Sequence, residues 1–372
     1  MTDFLNAHNS AIQTDLDRLG RDLQLNQLKI GPLKAPLTID FYQNWLSLQY
    51  HGEMSYLQNH LEFKKDPTRL NPQIQSVISV AQSYFPAVKP YTNKPPARVA
   101  MYAHNEDYHH WLKAKLNDII DQLKARFPNE VFLPYVDSGP VLERDLAYQN
   151  GLGWFGKNTC LIHPQQGSLF FVAEILTSLT DTQISSTAIE PLPDFCGKCR
   201  KCIDICPTKA LVAPKTLKAD LCISYLTIES KNIPPPELRP LMGDWFFGCD
   251  LCQTTCPWNE KVFRQQGLSE QPETSTALQL DLPFEKRIEL IEYFRFLLTA
   301  SNKKIARHHI GTPLSRAGAK GLKRNALIVI ANQNLHELYD DVSLHLQAEN
   351  ELSELAAWTL QLLQTSKTKN PK

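Results

Sequence analysis

Apolar residues recur at helical spacing from residue 2 to about 25 and predict an opening helix. HGEMSYLQNHLEF (51–63) predicts a second helix, stopped by the breaker segment KKDPTRLNP. SVISVA (76–81) is a short apolar run of strand type, PAVKPYTNKPPA (86–97) a proline-rich loop and RVAMYA (98–103) a strand. DYHHWLKAKLNDIIDQLKARF (107–127) predicts a long helix with Asp107 as its N-cap. VFLPYV (131–136) is strand-like and ends at Asp137, VLERDLAYQN (141–150) is helical, and TCLIH (159–163) and SLFFVAEILT (168–177) supply further strands. Alternation of this kind over about 190 residues indicates an α/β or α+β region. From about 275 the pattern is all-helical: FEKRIELIEYFRFLL (284–298), LKRNALIVIAN (322–332) and ELSELAAWTLQLLQ (351–364) are amphipathic and resemble paired HEAT-type repeats, and the tail TSKTKNPK is expected to fray.

Between these regions, from roughly 190 to 260, periodicity lapses and cysteine takes over. Eight of the nine cysteines lie between Phe195 and Asn259. Cys196, Cys199, Cys202 and Cys206 follow C-x2-C-x2-C-x3-C with Pro207 next, the bacterial ferredoxin spacing for a cubane iron–sulfur cluster. The second run, Cys249, Cys252 and Cys256 before Pro257, is one ligand short, and the lone Cys222 completes it. In two-cluster ferredoxins the cysteine before proline ligates the other cluster. The expected sets are therefore Cys196, Cys199, Cys202 with Cys256, and Cys206, Cys222 with Cys249 and Cys252, holding two 4Fe–4S clusters. Zinc ranks second, because four-cysteine zinc sites use two distant pairs without a third close cysteine or Cys-Pro. A disulfide framework ranks last in so long a chain without a secretory signal.

The 372 residues have room for two or three domains, and a 42% hydrophobic, 21% charged composition is that of a soluble globular protein. Lys+Arg and Asp+Glu balance at 39 each, so a nucleic-acid partner has to be read from local patches. Two stand out. Between 197 and 219, Lys198, Arg200, Lys201, Lys209, Lys215 and Lys218 face only Asp204. Between 302 and 324, Lys303, Lys304, Arg307, Arg316, Lys320, Lys323 and Arg324 occur with no acidic residue. Such runs suit a phosphate-rich partner, and nearby Tyr225, Trp245, Phe246, Phe247 and Trp258 suit stacking on an unpaired base. The amphipathic N-terminus is no signal peptide and no apolar run approaches membrane-spanning length, so a reducing cytoplasmic setting is expected.

Gly151-Leu152-Gly153-Trp154-Phe155-Gly156 matches a dinucleotide fingerprint, but a helix precedes it and a strand follows, the reverse of what that site needs. It reads as a glycine-rich turn around Trp154. Asp107-Tyr108-His109-His110 begins like the D-x-H-x-x-G cobalamin motif, yet Leu112 stands where glycine is required. Adjacent His308 and His309 do not face each other on a helix, so chelation by that pair is not expected. Asp137, followed by Ser138-Gly139-Pro140 at a strand end, is the candidate acid: desolvation there would raise its pKa and keep it protonated near neutral pH.

DYHHWLK, YVDSGPVLERDLAYQNGLGWFGKNTCLI, CGKCRKCIDICPTKAL, the lone Cys222 and CDLCQTTCPWN together resemble the epoxyqueuosine reductase family, over most of the chain. That resemblance implies an α+β chain with a nitroreductase-like cobalamin-binding domain (1–188), a ferredoxin-like two-cluster domain (189–265) and a HEAT-like tRNA-binding domain (266–372). It implies reduction of epoxyqueuosine to queuosine at the tRNA wobble position, with cobalamin and two 4Fe–4S clusters. By the same resemblance Asp137 is the proton donor; cobalamin contacts fall near His60, Tyr102, Asn158, Ser168, Ser224 and Asp250; and Lys231 contacts tRNA. The basic Arg316, Lys323 and Arg324 are added as candidate tRNA contacts. A low-potential external electron donor, a monomer and no membrane are also expected. The alternatives are a dehalogenase-like reductase of small molecules, a ferredoxin-like electron carrier, or a zinc-stabilised RNA-binding module.

Overall fold

The computed structural model describes residues 2–84, 95–184, 190–266, 284–346 and 351–369. Its main sheet has four antiparallel strands in spatial order Gln27–Pro32, Ser76–Ser83, Phe170–Thr177, Phe132–Tyr135. The two central strands are buried on both faces, which is why SVISVA reads as a continuous apolar run rather than an alternating one. Ile78, Val80, Ala173 and Ile175 point to one face, where Ile12, Leu16 and Leu19 of the opening helix pack. So do Leu112, Leu116, Ile119, Ile120 and Leu123 of the Tyr108–Arg126 helix. Val77 and Leu176 point to the other face, beneath Leu146 of the Glu143–Gln149 helix. The result is a mixed helix/sheet fold.

Local chemistry explains where the elements depart from their predicted spans. The 51–63 segment is a turn, a short 3-10 stretch (Ser55–Leu57) and the helix Leu61–Lys65, interrupted at His60 with φ 58°. Only Arg98–Val99 of the 98–103 segment is strand, parallel to Trp245–Phe247, because the Met101 N–H donates to the Asp250 carboxylate at 2.6 Å instead of to a strand. The 159–163 strand shortens to Leu161–Ile162, paired with Trp154–Phe155. The edge strand Gln27–Pro32 and the helix Ile39–Ser47 had no expectation: Gly31 and Pro32 hide the strand, though proline is tolerated at an edge. Asp107 does cap its helix, accepting from the His109 N–H at 3.0 Å. The final helix runs to Lys369, past the expected fray, while residues 86–94 of the expected loop and 275–283 of the helical region lie outside the described residues.

A second core joins the cysteine-rich segment to the C-terminal helices. Ile223, Leu226, Phe246 and Phe247 pack with Phe294, Leu297, Leu322, Ala326 and Leu355. Its polar clamp comes from the Gly318–Asn332 helix. Asn325 Nδ2 donates to the carbonyls of Thr227 and Phe246 at 2.8 and 2.9 Å. Arg324 is 3% exposed, and its guanidinium donates to the carbonyls of Ser230, Asn232 and Leu226 at 2.6, 3.0 and 2.7 Å. The reading of Arg324 as a tRNA contact is therefore corrected: its charge is spent on main-chain carbonyls within the core junction. Lys323 is half-buried and its ammonium donates to the Ala300 carbonyl just beyond the Phe284–Thr299 helix, where a cation complements the helix dipole.

Replacing Arg324 by Met leaves three buried carbonyls without their donor. We expect a loss of about 3 kcal/mol of stability, the scale of breaking a buried charged hydrogen-bond set. Thermal unfolding should show it, while tRNA affinity measured well below the transition stays within about twofold of the parent.

Candidate active site and metal centres

Two of the later cysteines begin helices. Cys222 is the N-cap of Ile223–Ile228 and Cys256 the N-cap of Pro257–Gln265, with Pro257 at the first helical position. Helix-start N–H groups consequently point at sulfur: those of Ser224 and Tyr225 lower the Cys222 thiol pKa, and those of Trp258 and Asn259 lower that of Cys256. Burial works against them and raises the pKa of both, as it does for Cys196, Cys202, Cys249 and Cys252. Thiolates in such surroundings need the positive charge that iron supplies.

The thiols lie close enough to act on one another. Cys202 senses Cys256, Cys196 and Cys199, and Cys256 senses Cys196 and Cys199. Cys249 senses Cys222 and Cys206, while Cys252 senses Cys160, Cys249, Cys222 and also Cys202, so it stands between the two groups. All nine cysteines are free thiols, and no described group of three His, Cys, Asp or Glu side chains is arranged to hold a single ion. A run of three cysteines at C-x2-C-x2-C, with Cys-Pro steps closing both runs, fits clusters better than the two distant pairs of a zinc site.

The glycine-rich 151–160 turn wraps these cysteines. Cβ atoms at Gly153 and Gly156 would lie 2.5 Å from Ile162, so glycine serves close backbone packing here rather than a nucleotide. The backbone N–H of Lys157 and the indole of Trp154 act on Cys196. Lys157 Nζ donates to the carbonyls of Gly197 and Cys199 at 2.6 and 2.8 Å. Asn158 reaches across to the Cys252 carbonyl at 3.2 Å.

From that turn a polar wall leads to Asp137. Ser168 donates to Gln253 Oε1 at 2.9 Å and accepts from Asn259 at 2.9 Å. Asp250, next to Cys249, is buried, and burial raises its carboxyl to about 6. The hydroxyl of Tyr102 is raised by burial and then by Asp250 and Asp137. The Tyr108 ring lies between His109 and Phe171, both at 4.2 Å, and its hydroxyl donates to Asp137 Oδ2 at 2.9 Å. Side-chain amides and hydroxyls such as Asn158 and Ser168 suit the amide-fringed rim of a corrin, so these residues fit cobalamin. Ser224 starts the helix capped by Cys222, and His60 is exposed with its ring against Phe63.

Asp137 stands at φ 59°, a left-handed conformation that aspartate tolerates, and its side chain is 62% accessible. Desolvation by the surrounding chain is nonetheless the largest influence on it. The expectation of a raised pKa is corrected: hydrogen bonds from His109 and Tyr108, with the nearby charges of His109 and Arg144, outweigh desolvation and hold the carboxyl below its usual value. The raised groups are its neighbours. His109 is pushed up to about 9 by hydrogen bonds to Asp107 and then Asp137. Glu143, whose Oε1 accepts the Asp137 N–H at 2.7 Å, is pushed up to about 8 by burial and by Asp137. Neither partner was identified from the sequence, although both lie within the quoted DYHHWLK and YVDSGPVLERDLAYQNGLGWFGKNTCLI segments.

The 4Fe-4S double cluster binding domain matches residues 195–259, and the family model described as Epoxyqueuosine reductase QueG, DUF1730 matches residues 64–138. Epoxyqueuosine reductase of Pseudomonas aeruginosa is 37% identical over 320 residues, spanning 84% of this chain and 83% of its own. The Escherichia coli K12 protein of the same name is 38% identical over 329 residues, 86% and 82% of the two chains. The chain belongs to the epoxyqueuosine reductases. Its fold is that of a solved selenomethionine-labelled epoxyqueuosine reductase, with TM-score 0.77 at 24% identity over 97% and 95% of the two chains. A structure of the family bound to an epoxyqueuosine-modified tRNA-Tyr stem loop gives TM-score 0.75 at 24% identity, again over 97% and 95%. The Bacillus subtilis reductase, solved with its catalytic aspartate loop swung out of the active site, has the same score and coverage. Membership brings two 4Fe–4S clusters and cobalamin.

The basic runs change meaning in three dimensions. In the first, Lys201 pairs with Glu260, Lys215 with Asp194 and Lys218 with Asp220, acids outside or at the edge of the run. In the second, Arg316 makes a two-pronged contact with Glu229 at 3.0 and 3.1 Å and Lys320 reaches Glu351 at 2.6 Å, while Lys303 and Arg307 are exposed. The stacking aromatics are corrected. Trp245, Phe246 and Phe247 are core, Tyr225 is buried with its hydroxyl accepting from the Glu53 N–H, and Trp258 packs on Trp154. Tyr56, missed in the sequence, is the exposed aromatic beside the cleft: it senses Asp137, and Arg316 lies over its ring at 5.8 Å. Lys231 is exposed nearby, its N–H donating to Glu53. No described helix is long and apolar enough to cross a membrane.

Glu143 supplies a pH test. Its folded pKa is raised, so its contribution is present below the unfolded value and is lost as pH climbs to about 8. Glu143→Gln keeps an acceptor for Asp137 and removes this loss. Thermal melts should coincide near pH 5 and show the variant more stable at pH 9.

Proposed function

We propose that this chain reduces epoxyqueuosine to queuosine at the wobble position of tRNA, drawing electrons from a low-potential external donor and working as a monomer. One observation carries the reading. Tyr102 senses both Asp250, beside Cys249, and Asp137, and its ring lies 6.4 Å from Tyr108, whose hydroxyl donates to Asp137, so the carboxyl lies within two side chains of the second cysteine run. In this reading Cys196, Cys199, Cys202 and Cys256 hold one cluster and Cys206, Cys222, Cys249 and Cys252 the other. Residues 1–188 form a nitroreductase-like cobalamin domain, 189–265 a ferredoxin-like one and 266–372 a HEAT-like helical one. The last two share a core and act as one body.

Converting an epoxide to an alkene takes two electrons and two protons and releases water. Cobalamin, when bound, would supply the reducing chemistry at the epoxide. Tyr102, Asn158, Ser168, Ser224, Asp250 and His60 would hold and orient it, and the nearby Cys249–Cys252 loop would keep the electron path short. Asp137 Oδ2 is held by Tyr108 and His109, which leaves Oδ1 without a partner among the described residues to meet the departing oxygen. Tyr56 and Arg316 stand at the mouth to receive the splayed nucleotide, and Lys231 meets the tRNA backbone.

Reconstituted protein should contain about eight irons, as two cubanes require, and retain corrin absorption. Cys222→Ser should cost about half that iron. Asp137→Asn should keep iron and corrin yet lose on the order of 100-fold or more in single-turnover rate. Full activity in Asp137→Asn removes its donor role. Iron without retained corrin favours the electron-carrier alternative.

A charge reversal at Lys231 or Arg316 should weaken stem-loop binding and flatten its salt dependence by about one unit of slope per lost phosphate contact. Unchanged affinity and slope, measured by titration at several salt concentrations, place the backbone elsewhere.

A further inference from the structure

We infer that His109, braced by Asp107, is the proton reservoir that recharges Asp137 during the reaction. The inference rests on the proposed donor role of Asp137. Three side chains form a line: Asp107 Oδ1 to His109 Nδ1 at 2.7 Å, then His109 Nε2 to Asp137 Oδ2 at 3.3 Å. The brace is set by the helix start itself, since Asp107 also accepts the His109 N–H as N-cap. Stacking of the Tyr108 ring on the imidazole at 4.2 Å fixes the ring plane. No metal ligand is among these residues.

The charges around the imidazole agree with this task. Asp107 faces it from its own helix start and Asp137 from the strand-end loop. The Glu143–Gln149 helix brings Glu143, raised and so largely neutral, and Arg144, whose charge acts on Asp137. The Tyr102 and Tyr108 hydroxyls, both raised, stay neutral. Two carboxylates therefore face one imidazole, and at neutral pH the proton sits on His109 with Asp137 ionised.

That resting ion pair is open to water, 40% at His109 and 62% at Asp137. Substrate filling the cleft removes water from one side. A charged pair loses more hydration than its neutral tautomer, so desolvation drives the proton from imidazolium to carboxylate. The His109 Nε2–H bond breaks, an Asp137 O–H bond forms, and neutral His109 keeps its Nδ1–H on Asp107. Asp137 then gives this proton to the oxygen leaving the carbon skeleton. His109 takes a second proton from solvent and recharges Asp137, so the oxygen departs as water once both protons and the two cluster-borne electrons have arrived.

The test is the pH profile of single-turnover reduction of an epoxyqueuosine stem loop by pre-reduced holoenzyme, comparing parent, His109→Gln, Asp107→Asn and Asp137→Asn. The parent should hold its rate through neutral pH and fall above about 9. His109→Gln should lose about 100-fold at pH 8 and regain rate as pH drops toward 5, because its carboxyl must then be charged directly from solvent. Asp107→Asn, which keeps a competent cap, should move the upper limb of the parent profile to lower pH. A His109→Gln profile parallel to the parent, at equal or uniformly reduced rate, overturns the inference. Full activity in Asp137→Asn would instead remove the donor reading beneath it; an inactive Asp137→Asn with an unshifted His109→Gln removes only the reservoir. Nitrogen-15 NMR of labelled histidine gives a readout apart from activity. His109 should titrate near 9 in the parent and lower in Asp107→Asn, and a parent midpoint near the ordinary 6.5 overturns the inference as well.

Discussion

The closeness of the first cysteine run to the last cysteine of the second constrains everything around it. Cys202 is far from Cys256 in sequence yet senses its charge, as Cys249 senses that of Cys206. Holding them together requires the chain between to return on itself, and short helices begun by Cys222 and Cys256 make the turns. The 151–160 turn then has to thread between both cysteine runs, and glycine at 153 and 156 permits it. The Glu143–Gln149 helix leads into that turn and the pairing of Trp154–Phe155 with Leu161–Ile162 closes it, which sets where Asn158 meets the Cys252 carbonyl.

What was legible in the sequence was local chemistry. Cluster spacing, the Cys-Pro steps and the Asp107 cap each depend on residues within a few positions of one another. The central strands and long helices were legible for the same reason. Illegible were properties set by distant partners. The ionisation of Asp137 depends on His109, a helix away, so a carboxyl expected to be neutral is an anion at rest. Arg324 looked like one more cation in an acid-free run, but three carbonyls from residues 226–232 close around it. The edge strand Gln27–Pro32 was hidden by residues that a central strand would not accept.

Asp137 and the second cysteine run come together because two different cores back them. The sheet core positions Tyr108, His109 and Asp137 from one side. The junction core positions Asp250 and the Cys249–Cys252 loop from the other. Tyr102 touches both, its ring 6.4 Å from Tyr108 and from Phe247. Distortion of either core therefore reaches the relative placement of the acid and the cofactor wall, even with every cysteine intact.

The same logic governs the charged surface. Most cations of the basic runs are already committed, as Arg316 is to Glu229 and Lys320 to Glu351. A phosphate approaching Arg316 has to displace a carboxylate, so part of its Coulombic gain offsets a lost ion pair. Exposed pairs are weak, which makes the exchange feasible, but it lowers the affinity for an arbitrary polyanion. Discrimination then shifts to the cleft, where a nucleotide reaching past Tyr56 desolvates the His109–Asp137 pair. A polyanion that binds the surface without entering leaves that pair hydrated and Asp137 ionised, so binding alone does not arm the acid.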